Sequence, residues 1–148
     1  MRRDTARAII LDEKNESVYL LYRKVKRENK FVTYYAIPGG KIEKNETVEE
    51  AVKRELKEEF SVKIELLGYL GENKTKNGID YHFHAKITSG IPTLGGEEKE
   101  HNNENNYYEI RKVKIKELSN EKINILPINI SYIEKAIKKD YQNHFPNE

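Results

Sequence analysis

Apolar residues fall mostly in short β-prone runs along this chain and take helical spacing in only two places. Residues 6–11 and 18–22 are aliphatic and aromatic runs separated by Asp12-Glu13-Lys14-Asn15-Glu16-Ser17, which predicts a hairpin. Residues 24–30 read as a charged connection. Residues 31–37 form an aromatic, β-branched strand closed by Pro38-Gly39-Gly40. Strands are also predicted over 62–70 and 107–115, with a polar turn over 71–78. In 80–88 the pattern alternates: Tyr81, Phe83, Ala85 and Ile87 lie on one face, His82, His84, Lys86 and Thr88 on the other. The second face reads as exposed. A two-histidine metal site there lacks a third soft ligand nearby. Residues 89–106 form a long loop rich in Gly, Glu and Asn, a length that in compact domains often carries function.

The first helical stretch covers residues 48–60. Thr47 followed by Glu50 is a capping-box pair, Glu49 and Glu50 suit the positive end of the helix dipole, and Val48, Ala51, Val52, Leu56 and Phe60 recur at three- and four-residue spacing. Ser61 ends it. The second begins at Pro127, with Ile130, Ile133, Ile137 and Tyr141 as its apolar stripe. Its lysines, Lys135, Lys138 and Lys139, read as a solvated face. Strands, a helix, more strands and a last helix predict an α/β domain with a mixed sheet between helices, one domain over residues 1–148.

Charge narrows the function. The chain has 27 Lys and Arg against 25 Asp and Glu, net +2, so nucleic acid held by bulk positive charge is not expected. Cysteine is absent, which excludes disulfides, thiolate zinc sites and cysteine nucleophiles. No apolar run approaches the ~18 residues of a membrane span, and the stretch after the basic N-terminus is too short for a signal-peptide core. A soluble, cytoplasmic protein is expected, with no membrane partner.

The acids are uneven, 21 Glu to 4 Asp. At about 100° per residue, Glu55 and Glu59 continue the apolar stripe of the first helix and Glu58 borders it, whereas Glu49, Glu50, Lys53, Arg54 and Lys57 lie opposite. A carboxylate on a core-facing stripe must be paired, protonated or bound to a cation. Three close together repel unless something positive sits among them, and a hard divalent cation does this well. The competing reading is an ordinary charged surface helix, in which Arg54 pairs with Glu50 or Glu58 four residues away.

The residues upstream decide between these. From Gly40 the chain runs five residues to Glu46, seven more to Arg54, then Glu55-Leu56-Lys57-Glu58-Glu59-Phe60-Ser61-Val62. This resembles the signature of the Nudix (MutT-like) hydrolases, G-x5-E-x7-R-E-U-x-E-E-x-G-U with U a bulky aliphatic. Eight of the nine fixed positions match, and Ser61 stands where the family has Gly. Residues 34–40, Leu20-Leu21-Tyr22-Arg23, and the stretch from Asn106-Tyr107-Tyr108 to Glu117-Leu118 also resemble family segments, although Lys112 replaces a common Trp.

The resemblance implies an α/β/α sandwich with a mixed sheet. It also implies Mg²⁺-dependent, or Mn²⁺-dependent, hydrolysis of a nucleoside diphosphate linked to another moiety. By motif position, Glu55, Glu58 and Glu59 hold the metal together with the Gly40 carbonyl, with Glu58 as ligand, base or both. Arg54 orients Glu46 or Glu58, and Glu46 is structural. A further acid is expected from Glu97, Glu98, Glu100 or Glu104, with Glu98 first and Glu100 second. Arg23 and Lys41 are candidates for phosphate, Gly39 for close substrate approach, and Tyr35 or Tyr81 for base stacking, if they are not core residues. A homodimer is compatible with this. The alternative is a nucleotide- or metabolite-sensing domain without turnover, although 148 residues leave little room for the DNA-binding domain of a regulator. An isopentenyl-diphosphate-type isomerase is disfavoured by the missing cysteine.

Overall fold

The computed structural model describes residues 2–96, 99 and 102–146. Strands β1 (Thr5–Asp12), β2 (Ser17–Arg27), β3 (Lys30–Ala36) and the short β4 (Gly39–Lys41) precede helix α1 (Val48–Phe60). Strands β5 (Lys63–Thr75), β6 (Gly78–Ser89) and β7 (Asn106–Lys114) follow, then a 3₁₀ turn (Ile115–Glu117) and helix α2 (Pro127–Lys138). The sheet order is β3-β2-β1-β6-β5, with β4 on β1 and β7 on β2. Among the described residues only the β1–β6 pairing is parallel, so the sheet is mixed. β1 and β2 pair only through Leu11–Val18 and Asp12–Ser17.

Period-two alternation sends neighbouring residues to opposite layers. Ala6, Ala8 and Ile10 of β1 pack with Phe83 and Ala85 under α1, whose buried Val48, Ala51, Val52, Leu56 and Phe60 form the predicted stripe. Ile9, Leu20 and Leu70 face the other way, under Tyr132, Ile133 and Ala136 of α2. This is the expected three-layer α/β/α arrangement.

The capping box of α1 is complete: the Glu50 amide donates to Thr47 Oγ1 (3.1 Å) and the Thr47 amide to Glu50 Oε1 (2.9 Å). At the other end Ser61 takes the left-handed conformation (φ 59°, ψ 32°) in which glycine is most at ease. Its amide reaches the Lys57 carbonyl, and its hydroxyl donates to the Thr93 carbonyl at 2.9 Å. The departure from the motif therefore keeps the same helix exit. Relief of left-handed strain, about 1 kcal/mol, is offset in part by loss of an exposed hydrogen bond. Ser61→Gly should raise stability by no more than about 1 kcal/mol. Ser61→Val should lower it, because a β-branched residue fits this conformation poorly. Urea unfolding of both variants checks this.

Four expectations are corrected. Residues 24–27 continue β2, and Glu28 and Asn29, both at positive φ (49° and 66°), make the tight hairpin turn. β5 runs through residue 71 to Thr75, past register shifts at Leu66/Gly68 and Tyr69/Gly71, so the predicted polar turn is mostly strand. The inward face of α2 is Tyr132, Ile133 and Ala136, while Ile137 is 43% exposed. Tyr141 lies past the helix end, with its ring over Gly68, and the Gln142 amide bonds the Tyr69 carbonyl on β5.

The fourth correction concerns His82 and His84, which are buried under α2 rather than exposed. His82 stacks on Tyr132 (ring centroids 3.8 Å apart), and His84 Nδ1 meets the Tyr141 hydroxyl at 2.7 Å. Burial, with Arg7 nearby, pushes His82 down from 6.5 to about 4. The folded state thus refuses a proton that the unfolded chain accepts, so stability falls as pH drops from about 6.5 towards 4. The full loss is about 3 kcal/mol. His82→Phe, which keeps the stacking, should flatten that part of the stability–pH curve, measurable by urea midpoints between pH 4 and 7.

Candidate active site

A cleft of about 560 Å³ opens beside the C-terminal half of α1. Glu55, Glu58 and Glu59 line it from the helix, and Gly39, Gly40 and Lys41 from β4. Arg23, Tyr34 and Tyr108 line it from the facing strands. Two local features bring the acids here. α1 begins at a fixed cap, so its last turns present Glu55 and Glu59 on the stripe that packs on β1 and β4. Gly40 sits directly against Glu55, and a Cβ there would lie 2.6 Å from Glu55 Oε2, so any other residue would push that carboxylate aside.

The acids differ in exposure. Glu59 is buried at 5% exposure, the Glu55 side chain is 15% exposed and that of Glu58 55%. Arg54 ties the group together. Its Nε and Nη2 grip both oxygens of Glu46 (2.6 and 2.9 Å), and Nη1 reaches Glu55 Oε1 (3.0 Å) and Glu58 Oε2 (3.1 Å). Nη2 also donates to the Lys41 carbonyl (3.0 Å). The guanidinium holds the Glu46 carboxyl below its ordinary range, and the carboxylates in turn raise Arg54. Glu46 also accepts the Glu43 amide, which pins the loop before α1.

Opposite the acids, Arg23 on β2 lies between its cross-strand neighbours, Tyr34 on β3 and Tyr108 on β7. Its guanidinium carbon is 4.4 Å from the Tyr108 ring centre, Nη1 donates to the Tyr34 hydroxyl (2.6 Å) and Nη2 to Asn106 Oδ1 (2.9 Å). Arg23 Nε is buried with no partner among the described residues. Arg3 and Arg7 also line this cleft. A group of cations, of which Arg23 and Arg7 are held by hydrogen bonds, sharing a cleft with carboxylates suits a polyanion that arrives with its own countercharge.

The other candidates separate. Lys41 is exposed at the cleft, and Gly39 (φ 145°) packs against Ala6 and Arg7 of β1, where a Cβ would clash. Tyr35 belongs to the α2-side core, 8% exposed, its hydroxyl accepting from Arg111, so it does not line the cleft. The strand's alternation gives that place to Tyr34. Tyr81 packs partly buried against the α1-side core. Glu97, Glu98 and Glu100 lie outside the described residues. Glu104 is described and does not line the cleft. Gly96, just before them, does, because the Thr93 and Gly95 amides dock this loop on the Phe60 and Glu59 carbonyls. Tyr34, Tyr108, Arg3 and Arg7 were missed in the sequence. Only the strand parity around Arg23 carried a signal for the two tyrosines.

Among the described residues no three carboxylate or imidazole groups close on one point at metal-ligand distance. Arg54 holds one oxygen of Glu55 and one of Glu58. The donor set still fits a hard cation in kind: three carboxylates and a glycine backbone, with no sulfur or imidazole among the described residues of the cleft wall.

A family model for the NUDIX domain matches residues 1–127. The chain is 36% identical over 87 residues to an ADP-ribose pyrophosphatase of Methanocaldococcus jannaschii, covering 59% of this chain and 50% of that one. It is 50% identical over 40 residues to a putative 8-oxo-dGTP diphosphatase, YtkD, of Bacillus subtilis, covering 27% of this chain and 25% of that one. The matched segments thus span half and a quarter of those two relatives. A solved MutT Nudix hydrolase from Burkholderia pseudomallei shares the fold, with TM-score 0.69 at 20% identity, over 90% of this chain and 97% of that one.

Proposed function

The chain belongs to the Nudix hydrolase family, and from that premise we propose that it is a pyrophosphohydrolase. The substrate class is a small nucleoside diphosphate derivative, opened by water attack at phosphorus, and the 148 residues act as one domain. The observation that carries this reading is the single cleft in which Glu55, Glu58 and Glu59 face Arg23. Relatives named for ADP-ribose and for 8-oxo-dGTP support a nucleotide substrate.

Glu55, Glu58, Glu59 and the Gly40 backbone would hold Mg²⁺, or Mn²⁺ in its place. When bound, such a cation neutralises diphosphate charge and raises the acidity of water. The chain's own groups do the rest. Arg23, stacked on Tyr108 and braced by Tyr34, binds the phosphate oxygens in a fixed pose, with Lys41 at the mouth of the cleft. Glu58, the most exposed of the three acids, accepts the proton of the attacking water as the new P–O bond forms. The anhydride P–O bond breaks, and its electron pair leaves with the departing phosphate. Arg54 bridges Glu55 and Glu58 through one nitrogen and orients both, and Glu46 keeps Arg54 in place. Glu98, which lies outside the described residues, is the further carboxylate we propose.

The test is a panel of nucleoside triphosphates, ADP-ribose, UDP-sugars and dinucleoside polyphosphates, with Mg²⁺, Mn²⁺ or EDTA, resolved by chromatography. The reading expects metal-dependent release of a nucleoside monophosphate or of pyrophosphate, abolished by EDTA. Tight binding of one compound with no turnover under any condition would favour a sensing domain instead.

A further inference from the structure

A second cavity, of about 500 Å³, lies on the α2 side of the sheet. Arg7, Tyr34 and Ala36 line both it and the acidic cleft, so the two adjoin. Its floor is the β5–β6 hairpin, where Asn73 pairs with Asp80 and His82 follows two residues on, on the same face. Its rim is apolar, with Leu126 64% and Ile128 43% exposed. A polar floor under an apolar rim is the usual build of a small-molecule site, and the volume is in the usual range.

Two atoms of that floor, Asn73 Oδ1 and His82 Nδ1, are buried without a hydrogen-bond partner among the described residues. Buried polar atoms are nearly always satisfied, so two orphans in one cavity mark a place where a partner from outside the chain, a water or a ligand that displaces it, completes the hydrogen bonds. The His82 ring is 2% exposed and neutral at physiological pH. A neutral imidazole carries one lone-pair nitrogen, and Nδ1, buried without a partner among the described residues, is the one open to a donor from outside the chain. Stacking on Tyr132 fixes the ring plane.

We propose that Asn73 Oδ1 and His82 Nδ1 are specificity determinants, accepting hydrogen bonds from the group attached to the substrate's diphosphate. That group presents two N–H or O–H donors, on an amino-bearing heterocycle or on a sugar diol, and packs against Leu126 and Ile128. This rests on the diphosphate reading of the adjoining cleft. It adds the requirement for donors, which excludes attached groups that offer only acceptors.

The experiment has two arms. In the first, the histidine ring ¹⁵N resonances of the full chain are followed without metal while adenosine, cytidine, uridine and 2′-deoxycytidine are added. The His82 Nδ1 signal should move upfield with cytidine but not uridine if an amine is read. It should move with the ribonucleosides but not 2′-deoxycytidine if a diol is read. An unmoved signal, or an equal response to all four, overturns the proposal. In the second arm, His82→Phe and Asn73→Leu, checked for fold by circular dichroism, are assayed on the best substrate of the wild type. KM should rise about 10- to 100-fold with kcat within about threefold, and Asn73→Asp, which keeps the acceptor, should restore most of it. Unchanged KM in both variants overturns the assignment while leaving hydrolysis intact. A wild type that shows the ¹⁵N response yet hydrolyses nothing would instead sink the catalytic reading alone.

Discussion

Glu59→Gln is expected to lower kcat about 10³-fold, equivalent to about 4 kcal/mol of transition-state stabilisation. Glu59 is the most buried acid of the cleft and comes from the last turn of α1, just before the Ser61 exit. The change is isosteric and removes one charge, so fold and substrate KM should shift little while the loaded site loses a ligand. Glu58→Gln should act in the same direction if Glu58 takes the water's proton. Steady-state kinetics at saturating Mg²⁺ reads both. Near wild-type turnover in the two variants would remove the carboxylates from the mechanism.

Arg54→Met is expected to cost about 2–4 kcal/mol of stability, lowering the melting temperature by roughly 5–12 °C. Its guanidinium is the shared partner of Glu46, Glu55 and Glu58. Without it, Glu46 and Glu55, each only 15% exposed, lose the cation they share. The gap between wild type and variant should also depend on pH. Glu46 titrates below its ordinary range in the folded state, so the stability it contributes is present above the unfolded carboxylate pKa and is lost as pH falls through the folded value. The two melting curves should therefore converge in acid. Added Mg²⁺ should recover part of the loss in the variant, because a cation can take the place of the guanidinium among the acids. Thermal melts between pH 3 and 8, with and without Mg²⁺, check all three expectations.

How much of this could be read from the sequence depended on how local the determining physics was. The capping box of α1 and the register of its acids follow from neighbours within one or two helical turns, and both are found in place. The left-handed residue at the motif's glycine position was also local, and Ser61 adopts it with its hydroxyl on Thr93. What was not legible was set by layers that meet only in three dimensions. His82 and His84 alternate as an exposed face would, yet α2 and the segment through Tyr141 cover them. Strand parity was within reach but ambiguous, since residues 34 and 35 are both tyrosine and only pairing with Arg23 selects Tyr34 for the cleft. The hairpin turn at Glu28 and Asn29 carries no glycine, and the bulged passage of β5 through Gly71 looks like a turn. Arg54 as the hub of three carboxylates went beyond the single i,i+4 pair that helical spacing suggests.

The central claim is that the acids of α1 share one divalent cation. Its most direct test is Mn²⁺ binding to the substrate-free protein, measured by electron paramagnetic resonance, for wild type and Glu59→Gln side by side. The account predicts saturable binding near one Mn²⁺ per chain in the wild type, displaced by Mg²⁺ and weakened at least tenfold by the substitution. Equal Mn²⁺ affinity in the two proteins, or no binding by the wild type with or without a nucleotide, would contradict it.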